Sequence, residues 1–175
     1  NTGGAFVINA STGAITVANS VALNFEVTPQ FLLTVQATDN GTPILSGNNT
    51  ITVDLTNVNE APVVNAATFS VAENSANGTV VGTVTATDVD ANTILSYAII
   101  GGNTGGAFVI NASTGIITVA NGSLLNFEGT PQYLLTVQAT DNGTPILSGS
   151  NTITVNLTNV NEAPVVNAAT FSVAE

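Results

Sequence analysis

The chain of 175 residues contains no lysine, arginine or histidine, although it carries 11 aspartate and glutamate residues. Its formal net charge is therefore −11 at pH 7, and no cationic side chain is present to neutralise a carboxylate. An anionic surface of this kind repels nucleic acids and anionic membranes, so cations are the natural partners that remain. Because trypsin-like proteases cut after lysine and arginine, the composition also suits an extracellular location.

Cysteine is absent as well, which excludes disulfide bonds and thiol chemistry. Without histidine, cysteine, lysine or arginine, only carboxylates are left as candidate catalytic groups, and we do not expect the chain to be an enzyme. No apolar run approaches the length of about 18 residues that a membrane-spanning helix needs. We therefore expect no membrane insertion in this segment.

The abundant residues favour β-structure, because threonine, asparagine, valine, alanine and glycine dominate the chain. The segment TITVDLTNV at 50–58 alternates strictly between polar and apolar residues, as a half-buried strand does. Turn clusters separate it from further strand patterns at 6–17, 32–38 and 79–87. About seven strands in about 100 residues predict an all-β fold, an antiparallel sandwich of two sheets.

The sequence repeats itself with a period of 102 residues. Residues 1–73 and 103–175 are identical except at eight positions, which are 14, 20, 21, 22, 27, 31, 48 and 54 of the first copy. Similarity of this degree indicates tandem duplication.

A break before Pro62 and Pro164 sets the predicted domain boundaries. Residues 1–60 are the C-terminal part of one repeat, 61–162 are a complete repeat, and 163–175 are the first strand of the next. We expect the chain to be an excerpt of a longer array. In the alternative interpretation a strand from another copy completes the partial repeats, so that the chain is the subunit of a polymer.

Ten of the 11 acidic residues fall at six positions of the repeat, which in the complete repeat are Glu73, Asp88, Asp90, Glu128, Asp141 and Glu162. Asp54 is the exception, because its counterpart is Asn156 and it lies on the polar face of a strand. We expect Asp54 to be a solvated surface residue. Two carboxylates about 4 Å apart repel each other by about 4 kcal/mol at an effective dielectric near 20, so a close cluster here requires a cation.

Several motifs, in the right order over the whole chain, resemble cadherin-type repeats, particularly the cadherin-like repeats of large bacterial surface proteins. They are FSVAENSANGTVVGTVTATDVDANTILSYAI (69–99), FVINASTGIITV (108–119), LNFE (125–128), ATDNGTP (139–145) and NVNEAP (159–164). The resemblance implies tandem Ig-like, cadherin-like, antiparallel Greek-key β-sandwiches of about 102 residues per repeat. It also implies that the acids of successive repeats meet at the junction between them and bind Ca²⁺.

The resemblance assigns ligands to two junctions, with up to three ions at the first. At the junction near Pro62 we expect carboxylate and amide oxygens from Glu26, Asn59, Glu60, Asp88, Asp90, Asn92 and Asp141. At the junction near Pro164 we expect Glu73, Glu128, Asn161 and Glu162. Asp39, the counterpart of Asp141, is a further candidate, although both residues stand in a DNGTP turn and could be simple turn formers.

The chain departs from the family pattern at two positions of the repeat. Asn24 and Asn126 stand where the motif LDxE has aspartate, and Asn57 and Asn159 stand at the first aspartate of the linker motif. Each change replaces an anionic ligand by a neutral one. We therefore expect weaker Ca²⁺ binding or fewer ions per linker.

The leading functional hypothesis is a calcium-rigidified stalk or fibre segment of an extracellular adhesin or surface filament. Its partners would be neighbouring repeats of the same or adjacent chains. An alternative is a module that binds a cell-surface glycan or a second copy of itself, through many equal weak sites. Tyr97 and Tyr133 are candidate sugar-stacking residues, but each lies in a strand pattern and we expect both in the core.

Overall fold

β-strands form nearly all the regular secondary structure of the chain, and the computed structural model describes residues 1–175. The helical elements are four short 3-10 turns of three residues each. None of them has the length or apolar character to cross a membrane. The residues divide into unit 1, which comprises 1–60 with 89–91, and unit 2, which comprises 61–88 with 92–175.

Unit 1 contains four strands in two antiparallel pairs. The strands are β1 (Phe6–Ile8), β2 (Ile15–Val17), β3 (Gln30–Thr38) and β4 (Ser46–Asp54). The β1–β2 hairpin turns at the sequence ASTG, where Gly13 has a φ of 71°, a backbone conformation that favours glycine. Strands β3 and β4 pair over nine residues, from Gln30 opposite Asp54 to Thr38 opposite Ser46.

Unit 2 contains nine strands. They are β5 (Val63–Val64), β6 (Ala67–Ala72), β7 (Val80–Thr83), β8 (Ala86–Thr87), β9 (Ser96–Gly101), β10 (Phe108–Ile110), β11 (Ile116–Val119), β12 (Gln132–Thr140) and β13 (Ser148–Thr158). One sheet has the order β6-β13-β12-β9 and the other β10-β11-β7, while β5 pairs with β8. The predicted all-β sandwich is therefore confirmed.

One pairing differs from the antiparallel expectation. Strand β6 runs parallel to β13, with Ala67 opposite Ile153 and Ala72 opposite Thr158. The alternation of apolar and polar residues fixes which face of a strand is buried, but it does not fix the direction of its neighbour. The parallel pairing matters for the site, because it brings the C-terminal ends of β6 and β13 to the same edge of the sheet.

The core of unit 2 lies between its two sheets. On β13 the alternating residues Ile153, Val155 and Leu157 are 0%, 0% and 4% exposed, as the pattern predicts for one face of a half-buried strand. They belong to one buried cluster with Leu135 of β12 and Ile117 of β11. Burial of apolar side chains of this size contributes about 1.5 to 3 kcal/mol each, so this cluster is the main source of stability.

The same residues are less buried in unit 1. Its core cluster contains Ala5, Phe6, Phe31 and Leu33. Ile51, the counterpart of Ile153, is 41% exposed. Unit 1 has no strands at the places that β6, β7 and β9 occupy in unit 2, so its two strand pairs cover less apolar surface.

The last residues, 159–175, form no strand. Val166 and Phe171 are each 91% exposed. Val64, which is the counterpart of Val166 one repeat earlier, is 3% exposed. The thirteen residues 163–175 have the same sequence as 61–73. The prediction that 163–175 begin a further repeat stays a prediction, as do the other predicted domain boundaries.

Candidate metal centre

Three glutamates of unit 2 come together at the edge where β6 and β13 end. One carboxylate oxygen from each of Glu73, Glu128 and Glu162 lies within 4.8 Å of the other two. Glu73 follows β6 directly, Glu162 follows β13 by four residues, and Glu128 precedes the start of β12 by four residues. The parallel pairing of β6 with β13 and the antiparallel pairing of β13 with β12 place all three segments at one edge.

Glu73 is the most enclosed of the three glutamates, with only 2% of its surface exposed. Its Oε1 accepts a hydrogen bond from the backbone N–H of Val160 at 2.7 Å, and its Oε2 accepts one from Phe127 at 2.8 Å. These two donors, Val160 foremost, hold the pKa of Glu73 below its ordinary value, because both favour the charged form. Glu73 is therefore a carboxylate at neutral pH.

Unit 1 contains a second cluster. Carboxylate oxygens of Glu26, Glu60 and Asp90 lie within 4.8 Å of one another. Glu26 and Glu60 occupy the repeat positions of Glu128 and Glu162. Asp90 completes the group from the segment 89–91, and its Oδ2 accepts a hydrogen bond from the backbone N–H of Glu60 at 2.9 Å.

The geometry of both clusters fits a calcium ion. Oxygen ligands bind Ca²⁺ at about 2.3 to 2.6 Å, so two oxygens on one ion lie at most about 5 Å apart. The separations within 4.8 Å satisfy that limit for all three carboxylates of each cluster. Carboxylate oxygens are also the ligands that hard cations prefer, and a bound cation would offset the mutual repulsion of the acids.

Asp39 and Asp141 both stabilise their turns. Oδ1 of Asp141 accepts hydrogen bonds from the backbone N–H groups of Gly143 at 3.0 Å and Leu147 at 2.9 Å. Asp39 makes the corresponding pair of bonds, and these hold its pKa below the ordinary value, with the N–H of Leu45 contributing most. The turn-forming role that the sequence left open is therefore present, and the role of either residue as a metal ligand stays a prediction.

Asp88 and Asp141 are not among the clustered carboxylates. Asn59 belongs to unit 1, whereas Asp88, Asn92 and Asp141 belong to unit 2. Asn92 is exposed and has a φ of 63°, in the left-handed region. Asn161 is exposed in the segment after β13. That these residues join the clustered carboxylates around shared ions stays a prediction.

Sequence reasoning missed a group of asparagine side chains. Asn57, Asn74 and Asn159 each donate a hydrogen bond from Nδ2 to a clustered carboxylate, at 2.7 Å in every case. The sequence analysis treated Asn57 and Asn159 only as lost ligands. The signal that could have identified them is the absence of cationic side chains, which leaves neutral N–H groups as the donors to an acid cluster.

The asparagines that replace aspartate in the other motif have a local role. Oδ1 of Asn126 accepts a hydrogen bond from the backbone N–H of Gly129 at 2.6 Å, and Oδ1 of Asn24 accepts one from Val27 at 2.7 Å. Each caps the turn that carries Glu128 or Glu26. Their effect on the site is therefore to shape the loop of a candidate ligand.

The two-sheet architecture and the acid clusters at strand ends define a class of immunoglobulin-like β-sandwich repeat with candidate cation sites. A comparison with protein families finds that the family described as "Cadherin domain" matches residues 67–158, which is more than half of the chain. The chain belongs to the cadherin-domain family.

Individual relatives agree with this assignment. Human Protocadherin Fat 1 is 37% identical over 99% of this chain. The structure titled "Crystal Structure of Mouse Cadherin-23 EC22-24" superposes with a TM-score of 0.68 at 30% identity, over 91% of this chain and 51% of that one. The structure titled "Protocadherin gammaB7 EC3-6 cis-dimer structure" has a TM-score of 0.64 at 31% identity, over 88% of this chain and 38% of that one.

The chain covers only 4% of the length of Protocadherin Fat 1. The relatives compared here are animal protocadherins and related cadherins, so they support the cadherin part of the resemblance and not its bacterial part. The activity and partners of the whole protein are therefore matters for proposal.

Proposed function

We propose that the chain is part of an extracellular adhesion protein in which Ca²⁺ holds successive cadherin repeats rigid, as a stalk or filament segment. The observation that carries the proposal is the cluster of Glu73, Glu128 and Glu162, with oxygens within 4.8 Å of one another in a chain without a cationic side chain. Membership of the cadherin-domain family supports both the extracellular location and the choice of calcium.

The chain's own residues would divide the work at each site. Glu73, Glu128 and Glu162 would hold an ion in unit 2, and Glu26, Glu60 and Asp90 would hold one in unit 1. A bound Ca²⁺ supplies the positive charge that the sequence lacks. Calcium takes six to eight oxygen ligands, and we propose that Asn59 contributes a further oxygen in unit 1 and Asn161 one in unit 2. Ligand roles for Asp39, Asp88, Asn92 and Asp141 stay predictions.

A thermal melt of the full chain tests the proposal. Extracellular modules of this kind bind Ca²⁺ with a Kd of about 10⁻⁴ to 10⁻³ M, so about 5 mM Ca²⁺ stabilises the folded state by about 1 to 2 kcal/mol per site. We expect a higher melting temperature in Ca²⁺ than in EGTA. Equal melting temperatures in the two buffers would disprove calcium binding.

Two variants separate site binding from general screening of negative charge. Glu128→Gln removes one carboxylate from the cluster, and we expect it to reduce the calcium-dependent shift. Asp54→Asn removes one negative charge at a position where the second repeat naturally has asparagine, and its shift should match that of the unmodified chain. Equal reductions in both variants would indicate that Ca²⁺ acts only by screening.

A second candidate function is association with another copy of the same chain. The observation that favours it is the similarity to a relative whose structure is titled a cis-dimer. Sedimentation velocity of the full chain in Ca²⁺ distinguishes the two functions: a dimer that dissociates in EGTA supports homophilic adhesion, and a monomer at all concentrations supports the stalk alone.

Of the two tyrosines named for the glycan alternative, Tyr133 does not support it. Tyr133 is 5% exposed, its hydroxyl donates to the backbone oxygen of Leu124 at 2.8 Å, and its ring packs edge-on against Phe108. A ring enclosed in this way has no free face on which a sugar could stack. Glycan binding through other residues, polymerisation by strand exchange, a bacterial source and the absence of enzymatic activity stay predictions.

A further inference from the structure

All three carboxylates of the unit 2 cluster accept hydrogen bonds from neutral N–H donors. Glu73 accepts two bonds from backbone N–H groups, as described above. Oε1 of Glu128 accepts a bond from Nδ2 of Asn159 at 2.7 Å, and Oε1 of Glu162 accepts one from Nδ2 of Asn74 at 2.7 Å. The cluster therefore has donors that partly offset its negative charge before any ion binds.

The unit 1 cluster uses the same position of the repeat in the same way. Asn57 is the counterpart of Asn159, and its Nδ2 donates to Oδ1 of Asp90 at 2.7 Å. The acceptor is an aspartate of a different motif, whereas in unit 2 it is Glu128. The asparagine at this repeat position therefore donates to a clustered carboxylate in both units, although the acceptor residue differs.

The chemistry of asparagine explains why this position matters. The linker motif of the resembling family has aspartate here, and an ionised aspartate only accepts hydrogen bonds and adds a negative charge. Asparagine keeps an acceptor oxygen and gains two N–H donors at no charge. The substitution therefore exchanges a candidate anionic ligand for a group that attracts the neighbouring carboxylate.

We propose that Asn57 and Asn159 are positioning residues that hold the acid clusters together in the absence of Ca²⁺. The amide keeps its partner carboxylate in place against the repulsion of the other acids. Ion binding then starts from an assembled cluster but must compete with the amide for carboxylate lone pairs. The calcium part of this inference rests on the proposed function, whereas the calcium-free part does not.

The substitution Asn159→Asp should have two effects of opposite sign. Without Ca²⁺ it replaces an attraction to Glu128 by a repulsion, so the melting temperature in EGTA should fall by about 2 to 6 °C. With Ca²⁺ it adds an anionic ligand, and ligand charge strengthens calcium binding in such sites, so the Kd should be at least about threefold lower. A residue with a purely structural role would not produce the second effect.

Two further variants complete the experiment. Asn156→Asp adds the same charge to unit 2 at a position that is naturally aspartate in the first repeat, and that aspartate, Asp54, is not one of the clustered carboxylates of unit 1. The double variant Asn159→Asp with Glu128→Gln exchanges the amide and the carboxylate between the two positions. We expect Asn156→Asp to leave the calcium Kd unchanged, and the exchange to restore the melting temperature in EGTA.

The first measurement is a set of melts in EGTA at about 0.05 M and about 1 M KCl. The Debye length falls to about 3 Å at 1 M salt, so repulsion between charges farther apart than that is largely screened. The second measurement is a calorimetric titration with Ca²⁺. A loss of stability in Asn159→Asp that shrinks in high salt and is reversed in the double variant supports the inference. No loss in EGTA, or a loss that the exchange does not reverse, overturns it. If the unmodified chain binds no Ca²⁺, the proposed function fails, and the EGTA melts alone decide the inference.

Discussion

At the scale of single residues, the chain satisfies its carboxylates with N–H groups because it has no cationic side chain. Glu73 shows this most clearly, since two backbone N–H groups point at its two oxygens in a nearly enclosed position. Backbone donors to a carboxylate favour its charged form and lower its pKa. The residue therefore contributes to folding stability in a way that depends on pH.

Acidification of the calcium-free chain tests that contribution. The pKa of Glu73 is lowered in the folded state from an ordinary value of 4.5, so its stabilising effect is complete above about pH 4.5 and is lost as the pH falls through the folded value. Glu73→Gln should be less stable than the unmodified chain at neutral pH. The gap between the two melting temperatures should narrow as the pH falls below about 4.5.

The control for this prediction is Asp54→Asn. It removes a carboxylate that accepts its hydrogen bond from a side chain, Nε2 of Gln30. Its melting temperature at each pH gives the change that loss of one negative charge alone produces. A constant gap between Glu73→Gln and the unmodified chain from about pH 7 to about pH 3 would contradict the account.

The site was predictable from sequence only in part at this scale. Motif order and the lack of counter-charges selected Glu73, Glu128 and Glu162, and the structure brings them within 4.8 Å of one another. The hydrogen bond from Asn74 to Glu162 joins residues 88 positions apart, and no local pattern encodes it. The sequence could therefore predict that neutral N–H groups donate to the clustered carboxylates, but not which residues carry them.

At the scale of strands, alternation of side chains gave the positions of the strands but not their partners. The predicted segment 32–38 lies within β3 (Gln30–Thr38). The predicted segment 50–58 begins in β4 (Ser46–Asp54) and extends four residues beyond its end. In unit 2 the counterpart of β4 continues to Thr158, because β6 pairs with it there. The extent of a strand therefore depends on whether a neighbour is present to take its hydrogen bonds.

A matched pair of core substitutions tests the effect of that neighbour. Leu135 and Leu33 occupy the same position of β12 and β3, in the same local sequence LLTVQAT, but they are 0% and 7% exposed. Leu135→Ala should destabilise unit 2 by about 2 to 5 kcal/mol, because it removes buried contacts and leaves a cavity. Leu33→Ala should cost less, because Leu33 lines an open cavity of about 300 Å³ in unit 1.

Chemical denaturation of the full chain measures the loss of stability in each variant. Hydrogen exchange of the backbone amides then shows which unit has lost it. The expected order is a large loss of protection in β12 and β13 for Leu135→Ala and a small loss in β3 and β4 for Leu33→Ala. Equal costs at the two positions would show that burial in the two units is the same in solution.

At the scale of the whole molecule, the charge of −11 makes every repeat repel its neighbours unless cations intervene. The proposed function therefore predicts that Ca²⁺ changes the freedom of successive repeats relative to each other. Small-angle scattering of the full chain, fitted with an ensemble of conformers, should give a narrower distribution of radii of gyration in about 5 mM Ca²⁺ than in EGTA. Glu60→Gln should weaken this response, and Asp54→Asn should not.

A matching KCl solution of the same ionic strength controls for screening of the net charge. If the distribution is the same in Ca²⁺, KCl and EGTA, the repeats are not rigidified by calcium and the stalk interpretation is wrong. If KCl alone narrows the distribution as far as Ca²⁺ does, the effect belongs to the net charge and not to the clusters.

The sequence by itself determined the class of fold, the period of 102 residues and the kind of chemistry that the chain can support. These follow from local alternation, from identity between copies and from composition, which need no knowledge of contacts between distant residues. The tertiary structure decided that β6 runs parallel to β13, and this pairing places Glu73 beside Glu128 and Glu162. It also decided that Asn159 donates to Glu128, because side-chain partners across strands are set by sheet register and packing.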